Sequence, residues 1–215
     1  MQNYTYTELT ARLTERLAQP LPGEAAQRRM ASSIRSALRL PDRPNERTRA
    51  GAVCMLLYPE PDGWHLPLIL RPEYDGAHSG QVALPGGRVE ETDTDIVAAA
   101  LRETEEEIGV PIARMAVMGK LTPLYVPASN FVVHPVVAVV SEPPVFRPDP
   151  REVAAVFHVP VAQLLDETLR GETEIAVRGI RIQAPYFALG GQTVWGATAM
   201  MLSELAELLK ESDES

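Results

Sequence analysis

The segment Gly86 to Val110, GGRVEETDTDIVAAALRETEEEIGV, constrains this chain more than any other. Two glycines follow Pro85, so the backbone can turn sharply and come close to another group. An acidic loop follows, and then a stretch with helical periodicity. Thr94 or Asp95 is placed to cap that helix, and Gly109 to stop it. At about 100° per residue, Val97, Ala100, Leu101, Thr104 and Ile108 form one mostly apolar stripe. Glu103, Glu106 and Glu107 fall on an adjoining arc, while Glu105 points away. Three carboxylates on one arc repel one another. Either the arc is a solvated acidic face, or a hard divalent cation such as Mg²⁺ offsets the repulsion and pairs with substrate phosphates.

The spacing resembles the Nudix hydrolase box: Gly, five residues, an acid, seven residues, then Arg-Glu-apolar-any-Glu-Glu-any-Gly-apolar. Gly87, Asp93, Arg102, Glu103, Glu106, Glu107, Gly109 and Val110 fit it. Three positions depart. The first acid is Asp93 rather than Glu, eight residues separate it from Arg102, and Thr104 stands where an apolar residue is usual. The extra residue is similar to the coenzyme A pyrophosphatase branch. That branch carries a second motif just before the box: an Arg, a His-any-Gly-any-Val, an aromatic and Pro-Gly-Gly. Arg71, His78, Gly80, Val82, Pro85, Gly86 and Gly87 are in register with it. Leu84 replaces the usual Phe, Pro72 a Ser and Asp75 a Leu.

The same residues have a direct chemical reading. Arg71 can clamp a phosphate through two parallel charged hydrogen bonds, or pair with an acid of the box. His78-Ser79-Gly80-Gln81 is a polar loop suited to holding a ligand, and His78 can bind phosphate, shuttle a proton or serve as a structural hydrogen-bonder.

The 215 residues suit one domain plus an extension, and 45% hydrophobic residues support a sizeable core. The net charge of −9 and pI near 5.0 argue against a nucleic-acid partner. No signal peptide or membrane-length apolar run is visible, so no membrane association is expected and a cytoplasmic protein is the default. Cys54, the single cysteine, lies in an apolar run and reads as a buried thiol.

In order, Thr7–Ala18 and Ala25–Leu40 read as helices, the second with Ala26, Met30, Ile34 and Leu38 in a stripe. Arg28, Arg29, Arg35, Arg39, Arg43, Arg47 and Arg49 are offset only by Asp42 and Glu46. This basic stretch either meets substrate phosphates or an acidic partner, or is a solvated face. Pro41 and Pro44 mark a boundary, dividing a helical extension (1–45) from the main domain (46–210). Strands are expected at 50–58, 64–71, 115–121, 131–140 and 153–159, with a hairpin at 172–189 around Gly179. The loop 122–130 is a candidate wall of the pocket. His134 reads as a core histidine, Trp195 as a core anchor before a closing helix, and Glu152 as either an extra metal-site acid or a surface residue.

The pattern implies an α/β (α+β) chain, and the resemblance implies the Nudix fold, a mixed sheet between helices, over roughly residues 46–210. It further implies diphosphate hydrolysis assisted by Mg²⁺ or Mn²⁺. Glu103 and Glu107 are the expected ligands, and Glu106 a third ligand or general base. Asp93 is expected to pair with Arg102, and Gly86 and Gly87 to bring backbone near the metal. The implied substrate is coenzyme A or a derivative, cut to 3′,5′-ADP and 4′-phosphopantetheine. The alternatives are another nucleoside diphosphate derivative, such as ADP-ribose or a dinucleotide, and an idle ligand-binding domain on the same scaffold. A homodimer through the extension is a further expectation.

Overall fold

A computed structural model describes residues 4–34, 38, 40–73, 80–177 and 179–210. The expected positions His78 and Ser79 lie outside these residues.

The central strand β1 (Arg49–Glu60) alternates its side chains between two cores, as a strand of period two must. Met55 and Leu57 face one core; Ala52, Cys54, Leu56 and Tyr58 face the other. Around it are β2 (Gly63–Leu70), β3 (Val82–Ala83), β4 (Gly86–Arg88), β5 (Ala116–Lys120), β6 (Leu124–Val126), β7 (Phe131–Val139) and β8 (Ala155–Pro160). The order β3-β2-β1-β7-β5 forms the spine, with β4 on β1, β6 on β7 and β8 on β2. Only β1 and β7 are parallel among these pairings; the others are antiparallel, so the sheet is mixed.

Helices cover both faces. The N-terminal α1 (Tyr6–Leu17) begins with a capping box in which Thr5 and Glu8 satisfy each other's backbone amides. It buries Leu9 and Leu13 in the first core. A short α2 (Gly23–Arg28) follows. The box helix α3 (Ile96–Ile108) buries Ala99, Ala100, Leu101 and Ile108 in the second core. After β8 come α4 (Val161–Leu165), then β9 (Arg170–Val177), β10 (Ile180–Leu189) and β11 (Gln192–Trp195), which form a separate antiparallel sheet. The closing helix α5 (Gly196–Leu209) is apolar nearly all round and packs into the first core. No helix among the described residues is long and apolar enough to cross a membrane.

Two expectations need correction. The helix expected over 25–40 breaks after Arg28, because the chain peels away to pair elsewhere: the Ser33 amide donates to Gln183 O at 3.0 Å, and the Gln183 amide to Ser33 Oγ at 3.1 Å; helical backbone returns at Ile34, whose carbonyl accepts the Leu38 amide at 3.0 Å. Residues 35–37 and 39 of that expected helix lie outside the description. Trp195 is half-buried and lines a cavity rather than anchoring the core; the buried tryptophan is Trp64, whose indole donates to Tyr4 O at 2.8 Å.

Candidate active site

The site forms where α3 runs beneath the β4 glycine turn. Asp95 caps the helix by accepting the Ala98 amide at 2.8 Å, and Gly109 ends it at φ 73°. Thr104 replaces the usual apolar residue without leaving its hydroxyl unsatisfied, since Oγ1 donates to Ala100 O at 2.7 Å. The helix is therefore held firmly, and its glutamates diverge sharply in environment. The Glu107 side chain is 1% exposed, Glu103 12% and Glu106 58%.

Glu107 is fixed from two sides. The Gly86 amide donates to its Oε2 at 2.7 Å, and the Arg71 guanidinium lies 3.5 Å from its Oε1. Arg71 also donates to Gly86 O at 2.8 Å, so arginine and glutamate grip the same turn. The turn demands glycine. Gly86 has φ +148°, and a Cβ there would run into Ala52 O and the Val53 backbone. At Gly87 a Cβ would overlap the Glu103 carboxylate itself. Burial pushes the Glu107 carboxyl up to about 7, opposed by Arg71 and the Gly86 amide and reinforced by Glu103 and Glu152. Burial also raises Glu103, against the pull of Arg102.

Arg102 organises the other acids. Its Nε and Nη2 donate to the two oxygens of Asp93 at 2.9 and 3.0 Å, a bidentate pair tying the acidic loop to the helix. The guanidinium holds the Asp93 carboxyl below its ordinary range. Its Nη1 reaches Glu103 Oε1 at 3.0 Å and Glu106 Oε2 at 2.8 Å.

Glu152 arrives from a loop distant in sequence. The last carbonyls of α3 have no partner within the helix, and the loop supplies them: the Arg147 amide donates to Ile108 O at 2.8 Å and the Asp149 amide to Glu107 O at 3.0 Å. Gly109 permits this approach, since a Cβ there would lie 2.7 Å from Arg147 Cβ. Val153 then enters the second core. The result places carboxylate oxygens of Glu103, Glu107 and Glu152 within 4.8 Å of one another. Glu106, expected as third ligand or base, is not part of this group; its carboxylate lies against Arg102 at the solvent edge. An all-oxygen set of crowded carboxylates, one of them buried, suits a hard divalent cation.

Beside this cluster opens a cavity of about 1180 Å³. Its walls include Arg71, Gln81, Gly86 and Gly87, together with the loop 123–129 and Trp195. Arg88 also lines it, a residue the sequence reading passed over although it directly follows the paired glycines. Gly80 instead forms an exposed turn at φ +64°, donating to Pro72 O at 3.2 Å. His134 is half-buried, and burial lowers its pKa.

The mixed sheet, the helices and the glutamate-rich turn-and-helix are those of a Nudix domain, and the NUDIX domain family matches residues 48–178. The chain belongs to the Nudix hydrolase family. It is 40% identical over 137 residues to the human mitochondrial coenzyme A diphosphatase NUDT8, covering 62% of this chain and 58% of that protein. The chain thus spans somewhat over half the length of the human relative. It is also 36% identical over 162 residues to the Nudix hydrolase NudL of Escherichia coli O6:H1, covering 75% of this chain and 82% of NudL. Among solved structures, the Mycobacterium smegmatis Nudix hydrolase RenU superimposes with a TM-score of 0.53 at 21% identity, over 74% of this chain and 84% of that one. A MutT/nudix family protein of Enterococcus faecalis gives 0.52 at 18% identity, over 94% and 73%. At those identities the structural likeness concerns the fold.

Proposed function

We propose that this protein hydrolyses the diphosphate linkage of coenzyme A or a close derivative, releasing 3′,5′-ADP and 4′-phosphopantetheine or its acyl form. The observation that carries the reading is the convergence of Glu103, Glu107 and Glu152 beneath the Gly86-Gly87 turn, whose two glycines line a large cavity. The substrate assignment draws support from the activity for which the human relative is named and from the Arg71–Gly87 motif.

In this reading Glu103, Glu107 and Glu152 hold Mg²⁺ or Mn²⁺. The ion would neutralise diphosphate charge and lower the pKa of the attacking water. Gly86 lets the turn close on β1 and Gly87 lets the Glu103 carboxylate press against the backbone, while Arg88 offers a guanidinium to the phosphates. Arg71 and the Gly86 amide orient Glu107, while Arg102 orients Glu103. Water attacks one phosphorus, the bond to the bridging oxygen breaks, and that oxygen leaves with the electron pair. Glu106 is the proposed acceptor of the water proton. Little covalent work falls to the protein, so positioning and charge dominate catalysis.

The test is to incubate coenzyme A with protein and Mg²⁺ or Mn²⁺ and resolve the products by mass spectrometry, with ADP-ribose and NADH alongside. Faster release of 3′,5′-ADP from coenzyme A supports the assignment. Cleavage of the other compounds alone transfers the same chemistry to another nucleoside diphosphate, and no turnover with any of them favours an idle binding domain. Glu103→Gln and Glu107→Gln should each reduce turnover by roughly two orders of magnitude or more; near-normal rates in both would remove the metal-site proposal.

A further inference from the structure

The cavity is not built by the family domain alone. The family match begins at residue 48, yet one wall comes from the preceding segment, through Gln27, Arg28, Ser32 and Arg43. That segment is fastened to the domain by buried contacts. Glu204 on α5 is fully buried and accepts the Gln27 side chain at 2.8 Å and the Gly23 amide at 3.1 Å. Gln27 also donates to Thr122 O at 2.8 Å, and Ser203 Oγ to Ala26 O at 2.8 Å. Further along, the Thr48 hydroxyl donates to Asn130 Oδ1 at 2.8 Å, tying the segment's end to the pocket loop.

The arginines facing this cavity divide into two kinds. Arg71 is engaged with Gly86 and Glu107, and Arg28 with Glu24 at 2.6 Å. Arg43 and Arg88 have no carboxylate partner among the described residues. Arg88 adjoins the paired glycines, where the proposed reading puts the diphosphate. Arg43 belongs to the N-terminal wall, between Pro41 and Pro44, which restrict the backbone on either side. Tyr125 and Trp195 line the same cavity as aromatic surfaces suited to a base.

We infer that Arg43 is a specificity-determining residue that binds a phosphate monoester on the nucleotide half of the substrate, separate from the diphosphate. The inference rests on the diphosphatase reading and deepens it. A guanidinium with no internal partner forms charge-assisted, bidentate bonds to a phosphate monoester, and a substrate lacking that group leaves it unanswered. The N-terminal segment thereby becomes a recognition wall of the active site.

The test is calorimetric titration of the full chain with adenosine 3′,5′-bisphosphate and with AMP, which differ only in the 3′-phosphate. The bisphosphate should bind the unmodified protein about tenfold or more tightly, the worth of a hydrogen bond to a charged group. Arg43→Gln should bring the two ligands to within about twofold of each other, and Arg43→Lys should restore part of the gap, since lysine keeps the charge without the fork. Equal or undetectable binding of both ligands by the unmodified protein, or an undiminished preference in a folded Arg43→Gln variant, overturns the inference. The unmodified protein decides the first point without any variant. Failure to cleave coenzyme A alongside an Arg43-dependent preference would refute the substrate assignment and leave Arg43 standing. Cleavage of coenzyme A with an Arg43-independent preference would do the reverse.

Discussion

Replacing Glu107 with glutamine should stabilise the metal-free protein above neutral pH while removing its turnover. The side chain is 1% exposed, and burial pushes its carboxyl from 4.5 to about 7 despite the Gly86 amide and Arg71. Well below pH 4.5 the group is neutral in both folded and unfolded chains and contributes nothing. Between 4.5 and 7 the unfolded chain releases the proton first, so stability falls as pH rises. Above 7 the whole penalty is present. A gap of about 2.5 pH units corresponds to about 3 kcal/mol. Glutamine retains an oxygen for the Gly86 amide and carries no charge, so most of that penalty disappears. In a domain of this size 1 kcal/mol is worth roughly 2–4 °C. Differential scanning calorimetry in EDTA should therefore show Glu107→Gln melting about 5 °C or more above the unmodified protein at pH 8.5. The advantage should shrink to about 1 kcal/mol at pH 5. Adding Mg²⁺ should raise the melting temperature of the unmodified protein, by mass action on the folded state, and leave the variant nearly unmoved. A variant less stable than its parent at pH 8.5, or a difference independent of pH, would refute the claim that a desolvated charge is held at this position.

Gly87→Ala places a methyl group on the Glu103 carboxylate; displacing that acid should cost about tenfold or more in turnover, measured by coenzyme A hydrolysis. Glu204→Ala leaves the Gly23 amide, the Thr122 amide and the Gln27 side chain without their buried acceptor, and urea unfolding should show a loss of about 3 kcal/mol or more. Cys54 is fully buried and its thiol is pushed up to about 12 by burial, so a disulfide reagent should label it in urea but not in the native protein at pH 8.

Local chemistry made much of this molecule legible in the sequence. Asp95, the 3.6-residue stripe and Gly109 define α3 because caps and periodicity act over one or two turns. The expected strands appear with their ends shifted by a residue or two, and the hairpin around Gly179 is present. The short strand β11 escaped notice because it follows directly on β10 through Gly190-Gly191 and has only four residues. The helix expected over 25–40 has adequate periodicity yet breaks after Arg28; the contact between Ser33 and Gln183, 150 residues away, overrode it there.

What the sequence determined by itself is the glycine turn, the helix and the density of acids upon it, since these depend on neighbours along the chain. Periodicity placed Glu103, Glu106 and Glu107 on one arc and could not rank them. Only the packed structure decided that Glu107 is buried, that Glu106 faces solvent on Arg102, and that Glu152 completes the acidic cluster. Those outcomes rest on the loop 141–153 docking against the carbonyls of α3, and on the sheet that covers one side of the helix and leaves the other open. Desolvation and close approach between distant segments exist only once the chain is folded, and they give otherwise identical carboxylates different environments.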